Sequence, residues 1–112
     1  MPCDTALREG ETRETRSLRA QASAERLEAA LAGGRVKVAI GPNGAIAFAG
    51  WSDEERDGVA DGCIYRRLTA KGSFALKTAI QRAEAASGRK LNPQAIAAGS
   101  HSHDGGKTWG TH

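Results

Sequence analysis

His101, His103 and His112 cluster in the stretch HSHDGGKTWGTH with Asp104, and two cysteines, Cys3 and Cys63, lie far upstream. These are the side chains best suited to ligate a metal ion. His101 and His103 are two positions apart, so in an extended segment both imidazoles share a face and can reach one zinc ion. Completing that set requires Cys3 and Cys63 to converge on the histidines, and no C-x-x-C pair is present to supply close thiolates. A zinc-stabilised module is therefore an alternative reading, and histidines that simply titrate near about pH 6.5 are the plainer one. Cys63 with His101 or His103 also forms a conceivable nucleophile–base pair. Cys63, however, falls on the apolar face of an amphipathic segment, where a small core residue belongs. GxSxG, P-loop and dinucleotide fingerprints are absent. The chain is expected to be non-enzymatic and to need no cofactor. The acidic residues Asp53, Glu54, Glu55, Asp57 and Asp61 read as helix-terminus charge rather than a cation site.

The same tail also spells a turn. Ser102-x-Asp104-x-Gly106-x-Thr108-Trp109 resembles the Asp-box, a short motif of β-propeller sialidases and related glycan-processing proteins, over 8 of the 112 residues. The resemblance implies that Asp104 accepts hydrogen bonds from turn backbone and that Trp109 packs beneath. It carries no sialidase activity, because a propeller needs several four-stranded blades at repeated spacing. A third role for the tail is contact with a partner, with Trp109 as aromatic anchor and Lys107 beside it.

Charge singles out the second half of the chain. Residues 1–61 hold 8 Lys/Arg and 11 Asp/Glu, a net of −3, whereas residues 62–112 hold 8 Lys/Arg and only Glu84 and Asp104, a net of +6. That imbalance points to an anionic partner, with Arg66, Arg67, Lys71, Arg89 and Lys90 joining Lys107 and Trp109 as candidate contacts. Five aromatic residues and no basic recognition helix favour an acidic protein surface over nucleic acid, which stays as an alternative.

The elements that must position these residues follow from periodicity. Residues 1–16 are nearly all charged or small and read as a mobile arm, leaving 17–112 as a single domain with its tail at 100–112. SLRAQASAERLEAALA, residues 17–32, places Ala20, Ala24, Leu27 and Leu31 on one helical face, with Arg19 and Arg26 pointing away. Gly33-Gly34 ends that helix. Val36, Val38 and Ile40 alternate with other residues, GPNG follows, and Ile46 and Phe48 return, which predicts a β-hairpin with Asn43-Gly44 at positive φ. The opposite face of the return strand, positions 45, 47 and 49, is all alanine and suits a close-packed cover. Ser52 and Glu55 form a capping box. VADGCIYRRLTAK predicts a helix ended by Gly72, with a strand through CIYRRL as the rival reading. FALKTAIQRAEAAS, 74–87, predicts another with Leu76, Ile80 and Ala83 inward. Asn92-Pro93 starts a short last helix ending at Gly99. The expected fold is α+β: N-terminal helix, β-hairpin, two or three helices and an irregular C-terminal tail.

Leu, Ile, Val and Phe number only 17, so the core is lean, and a partner or a homodimer would complete it. No apolar run approaches the roughly 18 residues of a membrane span. The opening MPCDTALREGETRETR does not read as a secretory signal, and the two cysteines do not read as a disulfide framework. The expectation is a soluble, cytoplasmic, reduced protein. The MPCDT opening and Ala/Arg/Gly-rich composition resemble small proteins of phages and mobile elements. That resemblance implies an inhibitor or adaptor binding a host protein or nucleoprotein complex, as the anti-CRISPR group does. Unlike the acidic DNA mimics of that group, this chain is basic in its second half.

Overall fold

The computed structural model describes residues 7–102 and 104–110. Helix α1 (Arg13–Ala32) is followed by strands β1 (Lys37–Ile40) and β2 (Ile46–Ala49). Two short helices, α2 (Asp53–Arg56) and α3 (Asp61–Tyr65), lead to the long helix α4 (Ala70–Ser87) and the short α5 (Pro93–Ala97). The architecture is α+β, with one antiparallel two-stranded sheet and helices before and after it.

Helix α1 starts at Arg13, four residues before the predicted start, because the Thr12 hydroxyl accepts the Thr15 amide at 3.1 Å and caps the helix. Just upstream, Glu11 pairs with Arg19 at 3.1 Å, the two side chains 7% and 8% exposed. Within the described part of the expected arm, Glu11 thus docks on α1 and Arg8 on Asp57, while most other residues before α1 stay exposed. Ala20, Ser23, Ala24, Leu27 and Ala30 form the buried face of α1. Arg19 and Arg26, expected to point away, instead turn inward with Ser23. Arg26 donates to the Glu55 carbonyl (2.9 Å), Ser23 to the Arg56 carbonyl (2.9 Å) and Arg19 to the Asp57 carbonyl (2.8 Å). Positions 19, 23 and 26 share one helical face, and together they satisfy three consecutive carbonyls where α2 ends.

The hairpin register pairs Val38 with Phe48, Ala39 with Ala47 and Ile40 with Ile46. Its turn differs from the expected two-residue type. The Gly41 amide bonds the Ala45 carbonyl, and the Gly44 amide bonds the Gly41 carbonyl. Only Gly44 takes positive φ, at 91°, and Asn43 does not. Pro42 presets the turn, and the extra residue is absorbed at Gly44 as in three-residue hairpin loops.

The core gathers Leu27 of α1, Val36 and Phe48 of the hairpin region, Trp51, Val59, and Cys63 and Ile64 of α3. The Phe48 and Tyr65 rings meet at 6.3 Å with a tilt of 59°. Cys63 is 1% exposed and disulfide-bonded. The expectation of a reduced thiol is corrected accordingly. Cys3, the other cysteine of the sequence, lies outside the described residues.

The helix boundaries around Gly72 also differ from the prediction. The capping box at Ser52 forms, with the Glu55 amide donating to the Ser52 hydroxyl at 3.2 Å. Asp57 ends α2 in the left-handed conformation, φ 55°. The helix predicted across VADGCIYRRLTAK is only the five residues of α3, and α4 then starts at Ala70 and runs through Gly72. Thr69 caps α4, its hydroxyl accepting the Gly72 amide at 3.1 Å. Glu28 of α1 in turn accepts from the Thr69 amide (3.1 Å) and hydroxyl (2.7 Å). A Cβ on Gly72 would fall 2.0 Å from that carboxylate. Gly72 is therefore a crossing point between α1 and α4 rather than a helix stop. Asn92 and Pro93 start α5 as predicted. Among the described residues no helix is long and apolar enough to cross a membrane.

Candidate interaction surface

The tail forms a turn closed at its base by an antiparallel bridge between His101 and Gly110, with both hydrogen bonds 2.9 Å. Ser102 and Asp104 organise it. The Ser102 hydroxyl donates to Asp104 Oδ1 (2.7 Å) and accepts the Gly106 amide (2.9 Å). Asp104 accepts the Thr108 amide at 2.8 Å and its hydroxyl at 2.5 Å. Gly105 and Gly106 supply φ of 72° and 100°.

The turn covers the alanine face of the hairpin. A Cβ built on Gly106 would lie 2.5 Å from Ala39 Cβ, and one on Gly105 would lie 3.3 Å from Ala49. The Trp109 ring sits on Gly41, where a Cβ would be 2.7 Å from the indole, and its Nε1–H donates to the Gly106 carbonyl at 3.0 Å. Small residues on that hairpin face are what let turn backbone and indole approach. Trp109 is part-buried, its indole packed on Gly41 and bonded to the Gly106 carbonyl.

Hydrogen bonds from Thr108 and Ser102 hold the Asp104 carboxyl well below the usual carboxylate range. The sign follows from linkage. A lowered folded pKa contributes stability that is complete above the unfolded value near about 4 and is lost as pH falls through the folded value. The Trp109 indole N–H resonance is expected to keep its native shift down to about pH 4 and to move only in more acid solution. A transition centred at the ordinary carboxylate pKa would show that Asp104 is not held by the turn.

Of the cations expected to act together, Lys71 stands apart from Arg89 and Lys90, which lie beside the hairpin turn. Arg67 donates to the Cys63 carbonyl (3.1 Å) and the Ser17 hydroxyl (3.4 Å). Arg89 donates to the Ile40 carbonyl at 3.1 Å. Lys71 lies in the first turn of α4, and Arg89 and Lys90 follow its last. The 18 residues between those ends span roughly 27 Å. Arg66, Lys90 and Lys107 are exposed, with Lys107 on the tail turn. Of the metal candidates, Cys3, His103 and His112 lie outside the described residues. Cys63 has its sulfur in a disulfide, which occupies the atom that a zinc ligand or nucleophile requires. The His101 Nδ1 lies 2.8 Å from the Gly99 carbonyl. Among the described residues no group of three or more His, Cys, Asp or Glu is placed to hold a metal.

What the structure does bring together centres on a residue the sequence reading left unassigned. Phe74, in the first turns of α4, is 71% exposed. It borders a groove of about 740 Å³ between α4, β1 and the end of α1, with Val36, Val38, Ala75 and Ala79 among its lining. Lys37, Lys71 and Arg82 also line the groove, and no carboxylate does. The three cations are exposed, and none is in an ion pair with a described residue. Gly72 is the one fully buried residue of α4, while Leu76, Ile80 and Ala83, predicted inward, are half-buried. The signal was available in the sequence. Phe74, Thr78 and Arg82 recur every four residues, as do Ala75, Ala79 and Ala83, which gives α4 a second stripe beside the inward one.

A second cleft of about 590 Å³ lies between β2, α2–α3 and the tail. Its wall mixes Asp53 and Asp61 with Arg56, whose Nε is 3.3 Å from Asp61, so it presents no single sign of charge. Burial raises the Asp61 carboxyl and the Tyr65 hydroxyl above their ordinary pKa values.

No protein-family model, curated protein or solved structure matches the chain.

Proposed function

We propose that the protein is a small non-enzymatic binding protein that recognises an acidic surface of another protein, acting as an inhibitor or adaptor. The observation that carries this reading is Phe74, 71% exposed beside Lys37, Lys71 and Arg82. An exposed aromatic beside an apolar groove and uncompensated cations has the composition of an interface hot spot. The contact thus moves from the tail to α4, and the tail becomes a structural cover held by an Asp-box-like turn. The resemblance to small phage and mobile-element proteins points to a component of host machinery as the partner, a protein or nucleoprotein complex of the kind anti-CRISPR proteins bind.

The test is recovery of partners from host lysate by the intact protein and by a Lys71→Glu/Arg82→Glu variant, with nuclease added to half of each sample. A protein retained through nuclease and lost with the double variant is the expected result. Recovery that disappears with nuclease would transfer the function to nucleic-acid binding, whose affinity falls steeply with salt.

A further inference from the structure

We propose that the groove between α4 and β1 receives an acidic amphipathic helix of the partner, an inference that rests on the protein-binding reading above. Three features of the groove select that occupant. Its floor on α4 is Ala75, Ala79 and Ala83, one residue per turn, so a second helix can approach to an axial distance near the lower end of the about 8–10 Å range. Phe74 stands at one end of this row and offers a large apolar surface to residues spaced i, i+3 or i+4 on an incoming helix. Lys37, Lys71 and Arg82 then meet the flanks of that helix, where only Asp and Glu are complementary.

The other occupants fit less well. A second copy related by a two-fold axis would set the same cationic surface, Lys37, Lys71 and Arg82, against itself, with no carboxylate lining the groove to relieve the repulsion. Nucleic acid could set phosphates on Lys37, Lys71 and Arg82, but its charged backbone would leave Phe74 and the alanine and valine lining without an apolar partner.

The experiment uses a synthetic helical peptide of about 20 residues, with leucines on one face and glutamates on its flanks. Its controls are the same peptide with lysine for glutamate, a scrambled sequence, and a short DNA duplex. Binding is read by fluorescence anisotropy at low and high salt. The glutamate peptide is expected to bind saturably, about tenfold or more tighter than the lysine or scrambled versions, and more weakly as salt rises. Phe74→Ser and Lys71→Glu/Arg82→Glu are each expected to weaken it by about tenfold or more with circular dichroism and thermal midpoint unchanged, since all three side chains are exposed. Equal binding of all three peptides, or binding indifferent to both variants, would overturn the proposal. So would DNA displacing the peptide, or sedimentation showing a dimer that Phe74→Ser dissolves. If lysate recovery depends on Lys71 and Arg82 while the peptide fails to bind, the helical occupant is wrong and the partner-binding reading stands. If the intact protein retains no partner, the broader reading falls on its own.

Discussion

Gly106→Ala is expected to destabilise the domain by about 2–5 kcal/mol. Two independent penalties add. At φ 100° an L side chain is strained, at a cost of about 1–2 kcal/mol. The new methyl would also lie 2.5 Å from Ala39 Cβ and 3.5 Å from the Trp109 ring, an overpacking that costs about 1–3 kcal/mol. Gly106 cannot move away within the turn without breaking the hydrogen bond from its amide to the Ser102 hydroxyl and the one its carbonyl accepts from the Trp109 indole. Urea unfolding measures the loss, and the Trp109 indole resonance reports whether the turn has lifted. Combining Gly106→Ala with Ala39→Gly separates the two penalties: the double variant should recover the overpacking part and keep the backbone part. Strict additivity of the two changes would show that the turn does not rest on the hairpin.

Leu27→Ala is expected to cost about 2–5 kcal/mol, a large fraction of the about 5–15 kcal/mol that holds a domain of this kind together. Leu27 is 1% exposed and heads the fully buried side chains by volume. The surrounding core, rich in alanine, has few long side chains that can relax into the space left behind. Leu18→Ala is the control on the same helix. At about 100° per residue, position 18 lies opposite position 27, and Leu18 is 70% exposed. Its removal is expected to stay within about 0.5 kcal/mol. Comparable losses in the two variants would mean that both faces of α1 are covered in solution.

Elements with strong period were legible in the sequence. The α1 face around Ala20, Ala24 and Leu27, the Val38–Phe48 hairpin, the Ser52 cap and the Asn92-Pro93 start all emerge from local chemistry. What escaped depends on long-range partners. Gly72 looks like a helix stop until Glu28 is found crossing it. Arg19 and Arg26 look like solvent-facing charges until the carbonyls at the end of α2 arrive beneath them. The alanines at 45, 47 and 49 announced a close-packed cover, but nothing local said that the cover is the turn at 102–109. The candidate surface was legible only in pieces. Net charge drew attention to the second half of the chain, which holds Lys71 and Arg82 but not Lys37 of the groove, and it also drew in Arg67 and Arg89, whose guanidiniums bond backbone carbonyls. Phe74 was overlooked because a single aromatic at the start of an amphipathic helix reads as core by default.

The capping of α2 by Ser23, Arg19 and Arg26 has a consequence for how the molecule opens. A helix of four residues cannot nucleate by itself in water. Its order is lent by side chains of α1, so the two segments open as one cooperative unit. The Asp57 amide, bonded to the Asp53 carbonyl at 2.9 Å, would be expected to exchange with solvent within moments if it belonged to an isolated turn. Here its exchange is expected to require release of the Arg19, Ser23 and Arg26 side chains, so protection of this short segment should fall when those side chains are removed from α1.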